Sequence, residues 1–307
     1  MSLYPPPQII ETEVFAELPG KYRKDGARST WSIANNKGET IHSFIEGPSF
    51  DRDGNLYIVD IPWGRVFRVS PGGDFDLIAE YDGEPNGLKI HKDGRIFVAD
   101  YKNGVMQLDP ANGSVTPVCE RHRVEHLKGV NDLVFAENGD LYFTDQGLTG
   151  LHDPTGRVFR LRPDGGLDQL VHNGPSPNGI VLDPSETWLF VAMTRANAVW
   201  RLPLLPDGGT TKVGTFVHLM GGSGPDGLAM DADGNLVVCH AGGGSVWVFS
   251  PIGEALYRIK SCAGHATTNV AYGGPENRTM YITESDTGTI LRAEVPVPGR
   301  TMFSHMG

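Results

Sequence analysis

Apolar and polar residues alternate along this chain in short runs, and the runs recur. The stretch LKI, HKDG, RIFVAD (88–100) has period two rather than 3.6, and it reads as two strands joined by a turn at Asp93-Gly94. One phrase repeats: a polar tripeptide, an apolar pair, a turn, then an alternating apolar run. It begins at Glu46 (EGPSFDRDGNLYIVD), Asn86 (NGLKIHKDGRIFVAD), Asn131 (NDLVFAENGDLYFTD), Asn178 (NGIVLDPSETWLFVAM), Asp226 (DGLAMDADGNLVVCH) and Asn269 (NVAYGGPENRTMYITE). The intervals are 40, 45, 47, 48 and 43 residues, a period that suits a four-stranded blade. A third run follows the hairpin, as in RVFRVS (65–70), RVFRLR (157–162) and SVWVFS (245–250), and a fourth follows that, as in FDLIAEYD (75–82).

A lone four-stranded sheet leaves two faces and two edges uncovered. Six sheets packed radially bury the faces and close a ring. The pattern therefore predicts an all-β, six-bladed β-propeller with four antiparallel strands per blade, filling one domain over residues 1–307. Blades start near 46, 86, 131, 178, 226 and 269. The last repeat supplies only three strands, ending at TILRAEV (289–295) before VPGRTMFSHMG. The run TEVFAEL (12–18) has the pattern of the missing fourth, so an N-terminal strand is expected to complete the last blade. Residues 20–42 then cross to the first blade with no strong pattern of their own.

Composition supports strands over helices. The chain has 40 glycines and 22 prolines, and one stretch longer than 12 residues escapes both, 185–202, rich in aromatic and β-branched residues. The net charge of −11 disfavours nucleic acid and anionic membranes as partners and is compatible with a cation site. Cys119, Cys239 and Cys262 are odd in number and widely spaced, which reads as free thiols. The start, MSLYPPPQIIETEVF, lacks a basic segment followed by an apolar one, and no apolar run approaches 18 residues, so a cytoplasmic protein is expected.

The repeats place Glu46, Asn86, Asn131, Asn178, Asp226 and Asn269 at one position, just before the innermost strand, where six side chains would converge on the channel axis. All six offer an oxygen and two are carboxylates. Burying them without a counter-ion is costly, and a divalent cation removes the cost. Hard oxygen donors favour Ca²⁺, with Mg²⁺, Mn²⁺, Zn²⁺ or Fe as alternatives. Asn-Gly and Asp-Gly are also ordinary turn formers. Glu46 is not, and Asn131 is followed by Asp. A second register, Asp60, Asp100, Asp145, Met193, His240 and Glu284, is expected near the same mouth, where an acid also reads as a cap for the next turn. His240 is its member that titrates near neutrality. Lys128 reads as a surface lysine or as a cation reaching the mouth; Trp63 and Tyr101 read as pocket walls. Asn86, Lys128, Asn269, His240 and Trp63 are the candidate substrate contacts. His122 and His126 have the spacing of one helical turn but no third ligand, and read as a surface loop. No G-x-S-x-G elbow occurs.

EGPSF, GVNDLVF with YFTD, SPNGIVLD and GPDGLAMD together resemble the senescence marker protein / gluconolactonase / luciferin-regenerating enzyme family over roughly residues 40–295. The resemblance implies a six-bladed propeller with a divalent metal in the channel, ligated by Glu46, Asn178 and Asp226. Asn131 matches an Asn that ligates the metal in related diisopropyl fluorophosphatases and that contacts substrate or a metal-bound water in sugar lactonases. It implies hydrolysis of a lactone, often of an aldonic acid and here a sugar or related small lactone, with Asp226 and Asn131 as catalytic residues and no protein partner. Several sugar lactonases carry Arg two residues before that Asn, where this chain has Gly129. A less polar lactone would follow, unless Lys128 substitutes. The connection 146–155 is expected on the pocket rim. The alternatives are a phosphotriesterase-like hydrolase on the same ligands, a non-catalytic metal-binding propeller, and a metal-free strictosidine-synthase-like enzyme, which the ring opposes.

Overall fold

The computed structural model describes residues 5–306. It is a six-bladed propeller. Five blades run four antiparallel strands outward in chain order; the first, for example, is Ile45–Phe50, Leu56–Asp60, Arg65–Val69 and Phe75–Glu80. The sixth has Thr267–Gly273, Thr279–Glu284 and Thr289–Glu294, and its outer strand is the N-terminal Glu13–Glu17, antiparallel with Val14 opposite Leu291. Each strand inserts side chains between blades. Val59, Val66, Leu88 and Val98 are fully buried in the seam between the first two, which is why every blade reads as alternating apolar runs.

Three features were not legible in the pattern. Gln8–Glu11 adds a fifth strand to the fifth blade, parallel to Ala255–Lys260, so the N-terminal segment straps two blades together. Thr12 makes the crossing, its hydroxyl donating to the Lys260 carbonyl at 2.9 Å. Within 20–42 lies a helix, Thr30–Asn35, started by a reciprocal Ser29–Ser32 capping box and anchored by Trp31 against Phe44, 4.7 Å between ring centroids. Finally, the chain beyond Glu294 crosses the end of the channel opposite the inner strands' starts. Arg300 N–H donates to Met230 O, Ser304 Oγ to Phe50 O, and Phe303 stacks on Phe135. This strap covers a cavity of about 110 Å³ lined by Ile90, Val134, Ile180, Leu228 and Met230. The far end of the channel is thereby closed.

The second register resolves as caps. Asp60, Asp100, Asp145 and Glu284 are fully buried. Each accepts from the backbone arriving at an inner strand: Asp60 from Phe44 N–H (2.8 Å), Asp100 from Glu84 (3.1 Å), Asp145 from Lys128 (2.6 Å) and Gly129 (2.8 Å), Glu284 from Ala266 (3.1 Å). Arg65 and Arg157 pair with Asp60 and Asp145. These acids position the mouth and are not presented to it. His122 and His126 lie on a two-stranded hairpin, Arg121–His122 with Glu125–His126, so the helical spacing does not arise.

Candidate metal centre

The six aligned residues begin the six inner strands, as their sequence register demands. Glu46 is 3% exposed, and Asn86, Asn131, Asn178 and Asn269 are also buried, none above 7% exposed. Asp226 is the partly exposed member. The glycines that follow them serve close approach between blades rather than turns. A Cβ on Gly179 would lie 2.2 Å from the Asp226 carbonyl oxygen, and one on Gly87 would lie 2.6 Å from Asp132 Oδ1. Asn-Gly and Asp-Gly are thus the signature of inner strands pressed against each other around a narrow axis.

Hydrogen bonds sort the asparagines. Asn269 is spent: its Oδ1 accepts Val270 N–H and its amide donates to Glu46 Oε2, both at 2.8 Å. It holds Glu46. Asn131 donates its amide to Gln146 Oε1 at 3.0 Å, and Gln146 donates to Ser176 Oγ at 2.9 Å. This relay engages the Asn131 amide N–H. The Asn178 side chain lies close enough to the Asp226 carboxyl to lower its pKa. Gln146 has no place in the repeat; it opens the long connection 146–155 expected on the rim, and its contact with Asn131 places that end of the connection beside the ring.

Asp132 stands where four other blades carry glycine, the substitution after Asn131 being the visible signal. It is 1% exposed. Its Oδ1 accepts Leu133 N–H at 2.8 Å and lies 4.0 Å from Lys89 Nζ. Its Oδ2 is buried with no hydrogen-bond partner; burial raises the carboxyl's pKa, and Lys89, the Leu133 and Ile180 N–H groups and the Asn269 amide oppose the shift.

Electrostatics tie the carboxylates together. Burial, then the charges of Asp226 and Asp132, hold Glu46 well above the usual carboxylate range. Asp226 is pushed up to about 7, chiefly by burial; Asp132 raises it further, while Asn178 and the Arg195 guanidinium oppose the shift. Among the described residues no three His, Cys, Asp or Glu side chains form a metal-binding group; the oxygen set consists of carboxylates and asparagine amides. Those donors, an orphaned buried oxygen and mutual repulsion fit a hard divalent cation.

The remaining candidates are engaged elsewhere. Lys128 Nζ donates to the Thr155 carbonyl at 2.8 Å and to its hydroxyl. His240 is buried, with Nε2 2.9 Å from Gly221 O. Trp63 Nε1–H donates to His42 O, under Lys24. Asn86 lies buried at the start of the second blade's inner strand, Pro85–Ile90. Tyr101 walls the mouth: a Cβ on Gly129 would meet its ring at 2.9 Å. The ring fills the space that a side chain at 129 would need.

Fold and ring together define a propeller with an acidic, oxygen-lined channel entrance. The SMP-30/Gluconolactonase/LRE-like region matches residues 44–286, and the chain belongs to that family. It is 32% identical over 272 residues to a gluconolactonase of Zymomonas mobilis, covering 78% of this chain and 76% of that protein. It is 33% identical over 228 residues to lactonase drp35 of Staphylococcus aureus, covering 69% of each. The fold matches a calcium-binding protein, regucalcin, of Agrobacterium tumefaciens with a TM-score of 0.76 at 20% identity, over 98% of this chain and 99% of that one. Among the described residues no helix is long and apolar enough to cross a membrane.

Proposed function

We propose that this chain is a metal-dependent hydrolase that opens a lactone. Family membership and the two lactonase relatives support the reaction. The observation that carries the metal requirement is the set of Glu46, Asn131, Asn178 and Asp226, all but Asp226 buried, with the orphaned Asp132 Oδ2 beside it. Glu46, Asn178 and Asp226 would hold the cation, with Asn131 Oδ1 completing the set, and Ca²⁺ suits these donors best. When bound, the cation supplies Lewis acidity that polarises the lactone carbonyl and stabilises the oxyanion.

The protein's own residues do the rest. Gln146 holds Asn131, and Asn269 holds Glu46, so the donors keep their geometry without substrate. The closed far end confines entry to the mouth. Asp226, the ring member open to the mouth, accepts the proton of the attacking water. Water adds to the carbonyl carbon, the ring C–O bond breaks, and the ring oxygen leaves with a proton as the hydroxyl of a hydroxy acid.

The test is a lactone panel followed with a pH indicator, after chelation and after return of Ca²⁺, Mg²⁺, Mn²⁺ or Zn²⁺. Metal-restored turnover is expected, and Asp226→Ala should lose both turnover and cation affinity. No turnover with any metal, or normal turnover by Asp226→Ala, overturns the proposal; an organophosphate triester in the same assay identifies a phosphotriesterase.

A further inference from the structure

The mouth holds a cation that the repeat pattern did not signal. Arg195 lies in a short turn of 3-10 helix, Thr194–Ala196, after the second strand of the fourth blade. That turn is packed onto the approach to Asp226: Thr194 Oγ1 donates to Pro225 O at 2.8 Å, one residue before the carboxylate. The Arg195 stem then leans toward the third blade's rim connection, its Cγ 3.6 Å from where a Cβ on Gly150 would stand. The side chain thus bridges the fourth blade's sector of the mouth. It is exposed, and its guanidinium has no ion-pair or hydrogen-bond partner among the described residues.

Charge makes this placement informative. Glu46, Asp132 and Asp226 carry three negative charges when ionised, and Lys89 beside Asp132 carries one positive charge. A divalent cation brings the centre to neutrality. Arg195 is then left over, facing solvent at the entrance, while Lys128 is already held by Thr155. A guanidinium offers paired donors matched to a carboxylate.

Resting on the lactone reading, we propose that the substrate is a lactone bearing a carboxylate substituent, and that Arg195 is the specificity residue that binds that carboxylate. The ester enters the ring of oxygen donors while the second acidic group stays at the rim.

The experiment compares γ-butyrolactone with its γ-carboxylate on the metal-loaded protein. The carboxylated lactone is expected to show a kcat/KM about tenfold higher or more, falling as salt rises. Arg195→Met should collapse that ratio by about tenfold, mainly through KM, and Arg195→Lys should keep part of it. Arg95→Met, on a turn at the opposite end of the channel, should keep the whole ratio. The ring-opened dicarboxylate, titrated calorimetrically, should bind wild type more tightly than Arg195→Met. A wild type that prefers the neutral lactone, or a ratio unmoved in Arg195→Met, overturns the assignment and leaves the lactonase reading standing. Failure to open any lactone removes the lactonase reading itself, and this assignment with it.

Discussion

Replacing Asp226 by Asn removes one buried charge and keeps the shape, which makes the electrostatics of the ring measurable as stability. In the metal-free protein this carboxyl is moved from the usual 3.8 up to about 7. Between those values the folded protein binds a proton that the unfolded chain has released, so stability falls as pH rises through the window. At about 1.36 kcal/mol per pH unit the full displacement corresponds to ~4 kcal/mol. Asp226 is partly open to the mouth, and solvent screening reduces this to about 2 kcal/mol. Glu46, raised in the same direction, adds to the slope in wild type. In chelator near pH 4, wild type and Asp226→Asn should therefore unfold together. At about pH 8 the variant should be the more stable by about 2 kcal/mol, roughly 3 °C in Tm for a chain of this length. Calcium should reverse the order, since wild type gains ~2.7 kcal/mol at a hundredfold excess over Kd while the variant has lost a ligand. Differential scanning calorimetry at several pH values, with and without Ca²⁺, reads all of this. A variant less stable than wild type in chelator at about pH 8, or a gap that does not vary with pH, refutes the reasoning.

Two further variants probe the packing around the mouth. Gly179→Ala places a methyl 2.2 Å from the Asp226 carbonyl oxygen; it should cost about 1–3 kcal/mol in urea unfolding and weaken calcium binding by calorimetry, and wild-type values would show that the blade seam can open. Gly129→Arg drives its Cβ to within 2.9 Å of the Tyr101 ring. It should lose about 1–3 kcal/mol from the clash and from a side chain at φ +156°, and Tyr101→Gly in the same chain should recover only the part due to the clash; a single variant as stable as wild type would show that Tyr101 moves aside.

The blades were legible because their information is local. Period-two alternation, turns at fixed offsets and a recurrence of 40–48 residues define strands and their count, and a sheet with two apolar faces has few ways to bury both. The missing fourth strand after 289–295 was legible for the same reason, since a ring must close. The helix at Thr30–Asn35 was not, because six residues give no helical period and its anchor, Trp31 on Phe44, is a tertiary contact.

The ring positions were determined by the sequence through register alone: six residues at one offset in six repeats must face one axis. Their division of labour was decided by tertiary structure. Asn269 and Asn131 have the same side chain, yet one is consumed in holding Glu46 and the other is tied to Gln146 on an irregular rim connection. Asp132, Lys89 and Arg195 come from three different blades, and their charges meet only because radial packing brings strand ends far apart in the chain to one channel. The closed far end depends on a tail without periodicity, whose contacts with Met230 and Phe50 exist only once the blades are assembled. Repetition encodes where side chains point; which partners they find there depends on long-range neighbours that no local pattern carries.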